Sequence, residues 1–480
     1  MNDHTADTER EQMVRRASEA IAQAAKRVKD DPDRPRFHVI SSGQWMNDPN
    51  GPIYHSGWHH LFYQINPYGD DSDNKHWGHV RSRDLVYWEH QPIAMWPSES
   101  VGETEIWSGG VVKNPLGQVM AFYTSFGPGM PSRDGSQQWV AVADDDSLVN
   151  WRKHPENPIV TRDIHTGEEI YQWRDPCVVE VDGNWVMVVS GHLVGPEGDT
   201  GVVALYEAKN DELTNWSYRG LLYKSEDAKN IECPNLVCFA AKTLLYYAPC
   251  SRPRYHIGEF DRESTSYASE NSGLLDQSED FYAPTGMWDG QGRYVMWGWV
   301  KGFRDGMGWN GCLSLPRLMT IGDGGDLLQE PVPELAALRG PGVSVGAMTL
   351  DDSPHVVDQD LSTGAEIRAV VDLESAQTVV MTVGAPGEGE NAVHIECRRD
   401  QLTLNGVVAV IDPDQESLEL RLFLDQSVLE LFAGGDVCIA KVIKRPTESD
   451  RLSLSATGGS AHLLSLDAWE MGSIWISKQP

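Results

Sequence analysis

At 480 residues the chain exceeds one ordinary domain and predicts two or three folding units, with 40% hydrophobic residues to fill a large core. Its formal net charge of -32 repels phosphate backbones and anionic lipid headgroups, which argues against nucleic-acid and membrane-surface partners. A neutral substrate feels little of such a field.

The first 35 residues read as a helical segment. Thr8 followed by Glu11 has the form of a capping box, and Met13, Ala17, Ile21, Ala24 and Val28 recur at helical spacing. Asp31-Pro32 and Pro35 then stop it. A single amphipathic helix cannot fold alone, so it must pack on the body or on a partner subunit. The stretch has no apolar leader core, which together with seven scattered cysteines (177, 233, 238, 250, 312, 397 and 438) predicts free thiols and a cytoplasmic location. No cysteine or histidine spacing suits a metal, and no cofactor motif is present, so neither is expected.

From residue 36 the pattern changes to short apolar strands between Gly, Asn, Asp and Pro. Five segments superimpose: Gly57-WHHLFYQ, Gly117-QVMAFYTS, Gly183-NWVMVVSG, Lys242-TLLYYAP and Gly292-RYVMWGW. A second marker, Asp84-LVYW, Ser147-LVNW and Glu212-LTNW, places Trp88, Trp151 and Trp216 in phase with the first. Sheets of three or four strands repeated at this interval bury one another when arranged radially, which predicts a five-bladed β-propeller over residues 36–335. A β-sandwich with accidental regularity is the alternative. Gln329-EPVPELAALRG breaks the repeat, and alternating strands such as Ala365-EIRAVVDL and Leu418-ELRLFLD then predict a C-terminal β-sandwich over 341–480. The fold class is all-β, with one N-terminal helix.

The chemistry sits at one phase of the repeat. Asp48, Asp175 and Glu232 each fall eight to ten residues before the repeated strand, so three acids from distant sequence are expected at one mouth of the propeller channel. Singly, each has an ordinary reading: NDPNG is a turn, Arg174-Asp175 an ion pair, Glu232 a rim residue. Together they form the set that cleaves a glycosidic bond, one acid and one ionised nucleophile. Asn47 and Asn50 beside Asp48, and Arg174 beside Asp175, favour ionised forms. Glu232, between Ile231 and Cys233-Pro234, has the least polar neighbours and takes the acid/base role.

These residues resemble glycoside hydrolase family 32, the invertases, inulinases and levanases. The resemblance rests on Trp45-MNDPNG, Leu61-FYQ, Asn66-Pro67, Trp77-GH, Trp107-SGG, Trp173-RDP, Glu232-CP, Phe281-YAP, Trp309-NGCLSLPR and Phe423-LDQSVLELF, in the family's order. It implies a propeller joined to a sandwich, and retention at the anomeric carbon. It implies Asp48 as nucleophile, Glu232 as acid/base and Asp175 as a binder of sugar hydroxyls. Asn47, Gln64, Trp107, Ser108, Arg174 and Trp299 match its sugar-contact positions. The implied activity is release of terminal β-fructofuranosyl units from sucrose or fructans. Transfer to a sugar acceptor, fructan binding without turnover, and a different five-bladed furanosidase such as an arabinan-degrading one are the other readings weighed.

Two departures stand out. Many relatives carry an extra Trp where this chain has Tyr68-GDDSDNK, so Tyr68 or another loop must close that wall. Trp107 stands where relatives usually have Phe, and can supply an aromatic face.

Overall fold

The computed structural model describes residues 3–127, 136–195, 198–357, 361, 364–384, 392–444 and 451–475. Five antiparallel sheets are arranged as the blades of a propeller, and two larger sheets follow as a sandwich. The repeated apolar segments are the second strands of the blades: Trp58–Asn66, Val119–Phe126, Asn184–Gly195, Thr243–Ala248 and Tyr294–Val300. Four are buried almost throughout and Asn184–Gly195 through its middle, because both faces of an inner blade strand meet neighbouring sheets.

The Trp marker has a local cause. Leu85, Leu148 and Leu213 adopt positive φ (65, 52 and 59°), and the indole N–H of Trp88, Trp151 or Trp216 donates to the carbonyl of that Leu. Each Trp opens the fourth strand of its blade. The device satisfies a buried indole donor where the chain turns sharply, and repeats in blades one to three.

The ring closes on itself. Trp309–Asn310, after the second strand of blade five, pairs in parallel with Gln44 and Trp45 at the start of blade one. Gly311 makes this approach possible: at φ 84° it lies so close to Met46 that an added Cβ would stand 2.1 Å from the Met46 carbonyl oxygen.

Helix α1 (Asp3–Val28) begins before Thr8 and runs through it, so the capping box expected there does not start the helix. Ala17, Ala24 and Val28 are buried against the propeller, which settles the packing expected of this helix in favour of the body of the chain. The sandwich has its own core of Leu, Ile and Val, and rests on blades four and five through a buried polar seam. Among the described residues no helix is long and apolar enough to cross a membrane.

Candidate active site

The first strands of the blades, Gln44–His55, Glu105–Lys113, Ile170–Val181, Glu232–Cys238 and Phe281–Trp288, carry the site. Each is irregular at the same point. Three residues of the first strand span two of the second at Met46/Pro49, Ile106/Gly109, Arg174/Cys177, Glu232/Asn235 and Tyr282/Thr285. Such bulges turn side chains out of the pleat and toward the pocket. Asp175 and Cys233 pay for this with positive φ (63 and 50°).

This register corrects the expected equivalence of the three acids. Asp48 and Asp175 lie inside their bulges, whereas Glu232 lies just before its own, level with Arg174 and Tyr282. The spacing from bulge to repeated strand differs between these blades, which hides the offset in the sequence. Its consequence is contact: Arg174 forms an ion pair with Glu232 Oε1, and Tyr282 Oη donates to Oε2 at 2.5 Å. Three consecutive blades thus contribute one hydrogen-bonded row. Glu232 therefore sits among a guanidinium and a phenol, not in the apolar surroundings its sequence neighbours suggested. Arg174 stands farther from Asp175, at 3.7 Å.

Asp48 is held by donors from two blades. Asn47 Nδ2 donates to Oδ1 at 2.9 Å and Ser108 Oγ to Oδ2 at 2.5 Å. Gln64 fixes both donors, accepting from Asn47 at 2.6 Å and donating to Ser108 at 2.9 Å. Asp175 Oδ2 accepts the Cys233 backbone N–H at 2.9 Å, and the Cys233 thiol lies 3.6 Å from it and 3.7 Å from Asp48 Oδ2.

The electrostatics also differ from expectation. Desolvation at the pocket floor pushes Asp48 up to about 7; Asp175 and Glu232 add to the rise, against the Ser108 hydrogen bond and the Lys75 charge. Desolvation likewise raises Asp175 to about 6, with Arg174 opposing and Glu232 adding. The neighbouring donors do not outweigh burial among like charges, so neither carboxyl is the ordinary anion expected from the sequence.

All nine candidate residues, Asp48, Asp175, Glu232, Asn47, Gln64, Trp107, Ser108, Arg174 and Trp299, line one open cavity of about 280 Å³. Trp45, Ser72, Lys75, Gln172 and Tyr282 complete its wall. Tyr282 lies in the Phe281-YAP motif and was legible there, while Lys75 and Ser72 come from a polar stretch with no motif.

The N-terminal-domain model of glycosyl hydrolases family 32 matches residues 38–331, and the family's C-terminal model matches residues 364–470. The chain belongs to glycosyl hydrolase family 32. A sucrose-6-phosphate hydrolase of Zymomonas mobilis is 28% identical to this hydrolase over 88% of each chain. A fructan 6-exohydrolase of Beta vulgaris is 27% identical, covering 92% of this chain and 87% of its own. The fold is that of the fructan 1-exohydrolase IIa of Cichorium intybus solved with 1-kestose. Its TM-score is 0.83 at 23% identity, over 94% of this chain and 100% of that one.

In this family member the wall left open by the missing Trp is not closed by Tyr68. The Tyr68 ring turns away under the Arg16 guanidinium of α1, 5.1 Å from its centroid, and packs edge-on to His76. Trp45, Ser72 and Lys75 stand at the wall instead. Trp107 lines the pocket with its indole stacked on Phe126, at 4.8 Å and 12°.

Proposed function

We propose that this family 32 hydrolase releases terminal β-fructofuranosyl units from sucrose or fructans by double displacement, with Asp48 as nucleophile and Glu232 as acid/base. The observation that carries this reading is the placement of Asp48 and Glu232, from blades one and four, on one pocket with Asp175 beside both. In the first step an Asp48 oxygen bonds to the anomeric C2 while the bond from C2 to the leaving oxygen breaks. Glu232 gives that oxygen its proton. In the second step Glu232 takes a proton from water, which attacks C2 and frees Asp48.

Burial among like charges raises Asp48 to about 7 and Asp175 to about 6, so near neutrality the pocket floor holds a proton that Asp48 must lose before it attacks C2. Arg174 and Tyr282 bind the two Glu232 oxygens separately, which orients the carboxyl for directed proton transfer. Asp175, steadied by the Cys233 N–H, is placed to accept sugar hydroxyls.

The substrate is read as unphosphorylated. The two cations on the pocket wall, Arg174 and Lys75, are each paired with a carboxylate, Glu232 and Glu105. Glu105 beside Lys75 offsets its charge, and the overall charge of -32 disfavours a phosphate. The cavity is small for a ligand site, which suits one terminal sugar unit better than an internal stretch of polymer.

Incubation with sucrose, inulin and levan, followed by product chromatography, tests the proposal. Free fructose from at least one of them is expected, and none from the Asp48→Asn variant. Products made only of longer oligosaccharides, or no product from any substrate, would overturn it.

A further inference from the structure

We infer that Lys75 is a specificity-determining residue of this chain, with its ammonium contacting a hydroxyl of the sugar seated over Asp48 and Glu105 aiming it there. The inference rests on the reading proposed above. Lys75 ends the connection between the second and third strands of blade one, and Glu105 opens the first strand of blade two. They meet across the seam between blades. The Lys75 carbonyl accepts the Ile106 N–H at 3.0 Å, so backbone and side chain are both tied to blade two.

The geometry leaves the ammonium underused. Nζ lies 3.4 Å from both Glu105 oxygens, at the long end of hydrogen bonding, and these are its hydrogen-bond partners among the described residues. The shorter bond to Glu105 comes from the Trp107 indole, at 2.6 Å. The Lys75 charge also sits 5.8 Å from the Trp45 ring centroid. Both members of the ion pair are only 15% exposed. A loose pair withdrawn this far from water adds little stability, since desolvation opposes the attraction. An ammonium has three donors in fixed supply, and this one borders a pocket wall made of Trp45, Asn47, Asp48 and Trp107. A sugar hydroxyl in the pocket meets that unspent donor capacity.

The same position gives Lys75 an effect that simple packing would not have. Asp48 faces Asp175, Glu232, the Cys233 thiol, Asn47 and Ser108, and Lys75 is the cation among the groups that act on its titration. Removing the charge therefore makes Asp48 harder to ionise.

The experiment compares Lys75→Met, Lys75→Arg and Glu105→Gln with the parent enzyme. The readouts are KM and kcat on sucrose, the acid limb of kcat/KM, melting temperature, and fructose binding by calorimetry. Lys75→Met is expected to raise KM and weaken fructose binding about tenfold, and to move the acid limb to higher pH. Lys75→Arg should return the limb toward the parent value. Glu105→Gln keeps the cation, so it should alter KM without raising the limb. Lys75→Gln replaces the Met variant if folding is disturbed. A folded Lys75→Met enzyme with parental fructose binding, KM and acid limb would overturn the inference. If the parent enzyme binds fructose yet releases none from any substrate, the functional reading fails instead, and the binding comparison still decides the role of Lys75.

Discussion

Arg317 of blade five donates to Glu430 of the sandwich at 2.8 Å, and solvent reaches neither side chain. The same nitrogen donates to Asp276 at 2.8 Å, while the guanidinium lies over the Phe281 and Phe432 rings at 4.4 and 5.3 Å. Glu430 also meets His38, whose other ring nitrogen contacts Asp425 at 2.8 Å. One buried network therefore joins the first residues of the propeller, its last blade and the sandwich.

Breaking that network should be costly because a charge is then stranded without water. Glu430→Ala is expected to lower stability by about 3–5 kcal/mol, measured by urea denaturation. A loss below about 1 kcal/mol would mean that water enters and the seam is not sealed.

The network also sets a stability window in pH. Burial alone would lower the His38 pKa, but hydrogen bonds and charges from Asp425 and Glu430 outweigh it and push His38 up to about 9. A group raised above its unfolded value of about 6.5 gives its full stabilisation below that pH and loses it as the pH climbs through about 9. Denaturation midpoints should fall between these limits, and His38→Gln should flatten the decline. An equally steep decline in that variant would place its origin elsewhere.

Protonation at the pocket leads to a kinetic expectation. Catalysis that needs ionised Asp48 should lose about tenfold in kcat/KM per pH unit on the acid side, with a midpoint near the value of about 7 for Asp48. Ser108→Ala removes a hydrogen bond that favours the anion, so the midpoint should rise. A midpoint near 4, unmoved by that change, would show that Asp48 does not limit the acid side.

Glu232→Gln should cost about 10²–10⁴ in rate on sucrose and far less on fructosyl fluoride, whose leaving group needs little help from an acid. Equal losses on the two substrates would remove Glu232 from the acid role.

A pocket wall depends on Gly311. A methyl group there would stand 2.1 Å from the Met46 carbonyl oxygen and 2.7 Å from Trp299 Nε1, in a backbone conformation that disfavours side chains. Gly311→Ala should raise KM through displacement of Trp299 and lower the melting temperature. Parental KM in that variant would show that Trp299 does not contact the sugar.

The strands most visible in the sequence were those buried on both faces. Val119–Phe126 and Tyr294–Val300 announce themselves because apolar and aromatic residues fill most of each. Ser266–Leu274, an outer strand of blade four, is largely polar and exposed, so periodicity gave no sign of it. At the site, motif residues such as Asp48, Asp175 and Glu232 were found because each marks a repeat. Their electrostatics were not, because sequence neighbours are a poor guide to spatial ones at a bulge. Arg174 adjoins Asp175 in the chain yet binds Glu232. Lys75 and Glu105 escaped notice for a related reason: thirty residues apart and on different blades, they become partners only when the ring is assembled.

That ring is sealed by the parallel pairing of Trp309–Asn310 with Gln44–Trp45. Trp45, a wall of the pocket, therefore lacks its neighbour until more than two hundred and sixty further residues have been made. During synthesis the early blades wait with an open flank, and the pocket is completed only when the chain returns to its own beginning. Contacts of such long sequence separation make folding slow and leave unpaired edges exposed meanwhile. Ring closure and the completion of the pocket wall are then one event.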